Sequence, residues 1–301
     1  MTTFSACLAP AALGAVLACL LAGPAIAQDA PPPVPVPRSE LLTIESTTLG
    51  RTYDLYVGLP PGYAAAENED RRYPVLYMND GPYFFATATG IGYVPMATGY
   101  VEPYILVGVS FAHGSTGPDS RVLDYTPTLN PEWDRQTGGA EAYLEFLETE
   151  AIPLIETTYR ADPERRAIAG HSLSGLFGAH ALFSRPELFD GYIISSPSLW
   201  FHNEGMFETE AAFAETHDDL DAQVYLGIGS LEHPHRYRGM QYEMVEHTHR
   251  FAAALESRGY PSLEVRAREV DGAIHETAYS TTFLNGMLWL YANDRDIPWG
   301  Y

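Results

Sequence analysis

Arg166-Ala167-Ile168-Ala169-Gly170-His171-Ser172-Leu173-Ser174-Gly175 is the most informative stretch of this chain. Residues 166–169 have strand character, Gly170 stands two positions before Ser172, and an apolar helical pattern over residues 173–183 follows at once. A serine held at a sharp strand-to-helix turn has a strained backbone, so the residues two positions away on either side must be small. Gly170 and Ser174 meet that need, and Gly175 eases entry into the helix. The helix would aim its free N–H groups at the turn, where they can hold a developing negative charge. Ser174 is the rival hydroxyl, but it occupies the position of a small packing residue and has no glycine two residues before it.

Outward from this turn, short apolar runs alternate with helical patterns. Strands are expected at residues 42–47, 52–59, 73–78, 104–110, 166–169, 192–195, 223–228 and 263–270, the first two turning at Leu49-Gly50. Helices are expected at 140–159 (interrupted by Pro153), 173–183, 237–257 and 276–292. Strands alternating with helices imply a mostly parallel central sheet with helices on both faces, in one domain. With a serine at the strand–turn–helix corner, the fold expected is the α/β-hydrolase type, with chain order Ser, acid, His.

A serine hydroxyl needs a base near neutral pH. Of ten histidines, His275 follows the last expected strand and the Asp271-Gly272 turn. His171 is wedged in the elbow and is read as lining the site. Glu232 lies just past the strand at 223–228, beyond its carboxyl end, and is the preferred acid; Asp271 is the alternative. Such an acid orients the imidazole and stabilises the imidazolium, without itself taking the proton. His233, His235, His247 and His249 form pairs, but no set of three or four ligands has the spacing of a metal site.

Composition narrows the partners. Thirty-nine acidic residues face seventeen basic ones, all Arg, for a formal charge of −22. That surface repels phosphate backbones and anionic lipid headgroups, which argues against nucleic-acid and membrane-surface partners. It also disfavours a strongly anionic substrate, unless an arginine such as Arg121 or Arg236 offsets it locally. Residues 1–27 carry no charged side chain, hold an Ala/Leu-rich run and end in Ala25-Ile26-Ala27, the layout of a cleavable export signal too interrupted for a membrane span. Both cysteines, Cys7 and Cys19, lie inside it, so the mature chain would have no disulfide or thiolate. A Pro-rich linker, 28–39, then precedes a domain expected over 40–301, giving a periplasmic or secreted protein with no integral membrane segment.

Several blocks in order strengthen this reading: residues 72–81 (R-Y-P-V-L-Y-M-N-D-G), Thr137-Gly138-Gly139-Ala140, the elbow, residues 195–200 (S-S-P-S-L-W), Gly229-Ser230-Leu231-Glu232, and His275. Together, across residues 41–291, they resemble the esterase D group of α/β-hydrolases, the enterochelin (enterobactin) esterase-like enzymes. The resemblance implies a carboxylic-ester hydrolase without cofactor, acting on a small ester such as a siderophore lactone, an aryl ester or a sugar ester. Because some siderophore esterases of the group rely on a Ser–His pair, it also implies a smaller role for Glu232. The oxyanion donors would be the Leu173 N–H and one from the loop after residues 73–78. The position that follows the D-G pair is Pro82, which has no N–H, so Gly81 or Tyr83 is the alternative. Trp200, His171 and Gly138 are candidate substrate contacts, with Tyr83 and Phe201 as further pocket aromatics. An acyltransferase with the same residues, and a non-catalytic binding protein on the same fold, are the competing functions.

Overall fold

The structure, a computed structural model, describes residues 34–236 and 239–293. The expected signal segment and the linker as far as residue 33 lie outside the described residues.

Eight strands form one sheet: β1 (Ser39–Ser46), β2 (Arg51–Gly58), β3 (Tyr73–Met78), β4 (Ile105–Val109), β5 (Ala161–His171), β6 (Gly191–Ser195), β7 (Ala222–Gly229) and β8 (Leu263–Val270). Their spatial order is β1-β2-β4-β3-β5-β6-β7-β8. The β1–β2 and β2–β4 pairs are antiparallel, and every pair from β4 to β8 is parallel. All eight expected strands are present, and the sheet is mostly parallel.

The central strands read as unbroken apolar runs because both of their faces are covered. Tyr73, Val75 and Tyr77 of β3 point into one core with Tyr192 and Ile194 of β6. Leu76 and Met78 of β3 point into the opposite core with Ile193 of β6. The helices are α1 (Gly81–Ala97), α2 (Gly117–Tyr125), α3 (Ala140–Phe146), α4 (Ile152–Thr158), α5 (Leu173–Ser184), α6 (Phe201–Ala214), α7 (Met244–Ser257) and α8 (His275–Tyr291). α1 and α8 cover the face of Leu76 and Met78, while α2 to α7 pack on the other. No described helix is long and apolar enough to cross a membrane.

Three helices escape the apolar periodicity. α1 carries Gly90, Gly92 and Pro95, which weaken a helical signal. Gly92 is needed there, since a Cβ would lie 2.4 Å from the Tyr104 hydroxyl. α2 is short, and the first turn of α6 is left-handed at His202, Asn203 and Glu204. The expected helix 140–159 divides into α3 and α4 around a wide turn, Leu147–Ala151, that accommodates the missing N–H of Pro153. The expected helix 237–257 begins only at Met244. Its residues 237 and 238 lie outside the described residues, and Tyr242 leaves the helical path to stack on Trp200.

Candidate active site

Parallel strands that leave the sheet at one edge deliver their following loops to one place. β5 and β6 run side by side, His171 opposite Ser195, so the elbow after β5 meets the loop after β6. Ser172 has φ 62° and ψ −117°, a strained left-handed conformation. Its N–H donates to the Ser195 carbonyl at 3.0 Å, and its own carbonyl accepts from Leu176 and Ser198. Gly170 is obligatory, because a Cβ there would lie 2.1 Å from the Ser174 carbonyl oxygen. Gly175 serves a different end from the turn itself. A Cβ there would lie 2.9 Å from the Ser195 carbonyl oxygen, so the glycine lets α5 approach the end of β6.

Beyond β7, Glu232 folds back beneath the sheet edge and is fully buried. One carboxylate oxygen, Oε2, lies 2.6 Å from His275 Nδ1. The other, Oε1, accepts from Ser196 Oγ at 2.6 Å and from the Gly229 N–H at 2.8 Å. Donors on both oxygens fix the plane of the carboxylate. A carboxylate against Nδ1 keeps the proton on that nitrogen and leaves Nε2 as an acceptor. His275, the first residue of α8, opens onto a cavity of about 400 Å³ that Ser172, Ser198, Trp200, Tyr242 and Met244 also line. The Ser172 hydroxyl lies 3.3 Å from Ser198 Oγ. Asp271, the alternative acid, is exposed on the turn.

His171 lies behind this site, its ring centroid 4.5 Å from that of His275. Its Nδ1 is 3.0 Å from Ser195 Oγ, and its ring also meets Phe84 and Tyr279 edge-on. Burial pushes its pKa well below the ordinary imidazole value, and His275 and Arg121 add to that effect. A neutral imidazole results. Three of the four histidines in the remaining pairs meet glutamates: His233 meets Glu243, His247 meets Glu204 and His249 meets Glu269. Among the described residues, no three His, Cys, Asp or Glu side chains gather as a metal-binding group.

A family model described as "Esterase" matches residues 46–290. The chain belongs to the esterase D, enterochelin-esterase-like family of α/β-hydrolases. It is a serine carboxylic-ester hydrolase. This esterase is 32% identical over 235 residues to the siderophore triacetylfusarinine C esterase of Aspergillus fumigatus, covering 75% of this chain and 80% of that one. It is 29% identical over 219 residues to the ferri-bacillibactin esterase BesA of Bacillus subtilis, covering 67% and 74% of the two chains. The crystal structure of the BES protein from Bacillus cereus matches with a TM-score of 0.75 at 27% identity, covering 87% of this chain and 98% of that one.

Some expected contacts of the esterase fall elsewhere. Gly138 is exposed, has φ 89°, and donates its N–H to Thr126 Oγ1 at 2.8 Å. It shapes a loop away from the cavity wall, because a Cβ would lie 2.6 Å from the Leu129 nitrogen. The Tyr83 N–H donates to the Asp80 carbonyl at 2.9 Å, which takes it out of use as an oxyanion donor. Its ring is about half exposed and rests on Phe111, outside the cavity. Gly81 and Leu173 each open a helix, where the first N–H groups have no intrahelical partner. Phe201 is buried against Trp133, behind the wall.

Arg121 does not offset charge in the cavity. Its Nε donates to Asp80 Oδ1 at 2.6 Å, and its Nη2 to Asp80 Oδ2 at 3.1 Å. Sequence reasoning also missed Ser196 and Asp80. Asp80 stood in the quoted D-G pair, but its partner Arg121 arrives on α2, a short and largely polar helix 41 residues further along the chain.

Proposed function

We propose that Ser172 is the nucleophile, His275 the general base and Glu232 the carboxylate that orients it, in a two-step acyl transfer on bulky esters of the siderophore type. The observation that carries this reading is the 2.6 Å contact of buried Glu232 with His275 Nδ1, on the wall that His275 shares with Ser172. In the reaction the Ser172 hydroxyl turns from Ser198 toward His275. Its oxygen bonds to the ester carbonyl carbon as its proton passes to Nε2. The bond from that carbon to the alcohol oxygen then breaks, and Nε2 returns the proton to the leaving alkoxide. Water repeats the sequence on the acyl-enzyme, releasing the acid and restoring Ser172. The Leu173 and Gly81 N–H groups hold the oxyanion in both steps.

Two features support a bulky, ring-bearing substrate. Trp200 and Tyr242 stack face to face at 4.0 Å to form an aromatic wall of the cavity. The same pair walls a second cavity of about 380 Å³ together with Trp133, Asn130, His202 and Asn203. An ester with several arms could occupy both sides of that wall, and the two curated relatives above are named for siderophore esters. The export expectation is kept as a proposal: N-terminal sequencing of secreted protein should begin at Gln28, and another start would move the cleavage site.

The function is tested with wild type and Ser172→Ala against short acetyl esters, aryl esters and siderophore lactones. A fluorophosphonate should label wild type at Ser172, and Ser172→Ala should lose at least about 10⁴-fold in kcat. Label on another serine, or retained turnover, overturns the nucleophile. A kcat/KM for acetyl esters equal to that for siderophore lactones overturns the substrate class.

A further inference from the structure

The elbow departs from the commoner glycine at one position, Ser174, and the structure gives that hydroxyl partners on a different loop. Ser174 is 1% exposed. Its Oγ accepts from the His171 N–H at 2.7 Å and donates to Asp80 Oδ2 at 2.7 Å. Asp80 is 0% exposed and sits in the turn between β3 and α1 with φ 59°, a conformation that non-glycine residues rarely adopt. Arg121 holds the same carboxylate from the other side and reaches the His171 carbonyl at 3.4 Å. The Asp80 N–H faces Tyr125 Oη at 3.3 Å.

β3 and β5 are adjacent and parallel, Met78 opposite Ala169, so the turn after β3 and the elbow after β5 leave the sheet side by side. The Ser174–Asp80 hydrogen bond joins them. One end is the residue after Leu173, and the other is the residue before Gly81. The two candidate oxyanion donors are thus each one residue from an end of the same buried bond. Gly81 cannot drift toward the sheet, since its Cα already packs where a Cβ would lie 2.9 Å from the Val109 carbonyl oxygen. Arg121 neutralises Asp80, so the tie brings no net negative charge to a site that must stabilise an oxyanion.

We propose that Ser174 and Asp80 are positioning residues that set the separation of the two oxyanion N–H donors, so that the serine in the elbow is a functional element of this esterase and not a substitute for glycine. This rests on the reading of Ser172 as nucleophile with Leu173 and Gly81 as donors. A hydroxyl in place of glycine links the two loops directly, beside the longer bridge that Arg121 makes between Asp80 and the His171 carbonyl. Preorganised donors of this kind act on the transition state and leave substrate affinity nearly untouched.

The test compares Ser174→Ala and Ser174→Gly with wild type on one aryl ester and its thionoester, in which sulfur replaces the carbonyl oxygen. Sulfur accepts hydrogen bonds weakly, so the thionoester draws little from the donors, and the ester-to-thionoester ratio of kcat/KM reports their geometry. The ratio does not depend on the fraction of folded enzyme, which separates positioning from mere stability. Both variants should lose about 10- to 100-fold in ester kcat, somewhat less than deletion of an oxyanion donor. KM should stay within about three-fold, and the ratio should fall at least about ten-fold. Fluorophosphonate labelling at Ser172 in the same variants checks the nucleophile independently. An unchanged ratio in the Ala and Gly variants, with Ser172 still labelled, overturns the proposal and leaves the nucleophile in place. Loss of Ser172 labelling in wild type overturns the nucleophile itself.

Discussion

Replacing Glu232 by Gln tests the orienting carboxylate most sharply, because its neighbours dictate which way the amide must sit. Oε1 accepts from two donors, Ser196 Oγ and the Gly229 N–H, and the second has no way to become an acceptor. The amide oxygen of Gln must therefore take the Oε1 position, which puts the NH2 group where Oε2 faced His275 Nδ1 at 2.6 Å. An N–H aimed at Nδ1 makes that nitrogen the acceptor and moves the ring proton to Nε2. The imidazole is then in the wrong tautomer to take a proton from Ser172. Tautomer inversion in a Ser–His–carboxylate set costs about 10⁴ in kcat, or ~5 kcal/mol at about 1.4 kcal/mol per decade. The reverse amide orientation would set an NH2 against the Gly229 N–H and leave a buried donor unpaired, at about 1–3 kcal/mol. Flipped molecules, roughly 1 in 5 to 1 in 150 at that cost, keep the right tautomer but lack the carboxylate charge that stabilises the imidazolium, so the observed kcat should fall about 10²- to 10⁴-fold and stay above the Ser172→Ala background. The assay is kcat on an aryl ester, normalised to sites titrated with a fluorophosphonate, with Asp271→Asn in parallel. Asp271 is exposed and should tolerate Asn within about three-fold, as surface positions do. A Glu232→Gln variant within ten-fold of wild type, or a larger loss in Asp271→Asn, would refute the reasoning and make this a Ser–His pair or an Asp271 triad.

Gly170→Ala should lower stability by roughly 3–5 kcal/mol, through a Cβ driven into the Ser174 carbonyl, and Tm by about 10 °C; a Tm within 2 °C of wild type by calorimetry would mean the elbow relaxes. Trp200→Ala removes one face of the cavity wall and should raise KM for aryl esters about five- to ten-fold while kcat stays within about three-fold. An unchanged KM would place the acyl and alcohol groups elsewhere. His171 carries a pH signature, since burial holds its folded pKa well below the unfolded value near 6.5. Its contribution to stability is fully present above that unfolded value and is lost as pH falls below it, with a slope of at most about 1.4 kcal/mol per pH unit. His171→Asn keeps an acceptor near Ser195 and removes the titration, so the Tm gap between wild type and variant should narrow from pH 7.5 to pH 5. Parallel curves would show that His171 is not the group being titrated.

The eight strands and the elbow were legible in the sequence for a local reason. Central parallel strands read as short apolar runs, as in residues 73–78 and 192–195, and the strained serine demands Gly170 within two positions. The place of His275 after the last strand, and of Glu232 after the one before, followed from chain order, because loops that leave the same sheet edge converge. α1, α2 and α6 were hidden, since glycines in α1 and the left-handed start of α6 suppress the helical period. Residues 239–243 read as helix until Tyr242 is seen against Trp200, a contact between segments some forty residues apart. Sequence order alone decided that a serine, a histidine and a carboxylate would gather at one edge of a sheet. Only the folded molecule decided which residues hold them there. Ser174, Asp80, Arg121 and Ser196 act through buried hydrogen bonds between loops distant in the chain, and no spacing rule along one strand or helix encodes such a bond.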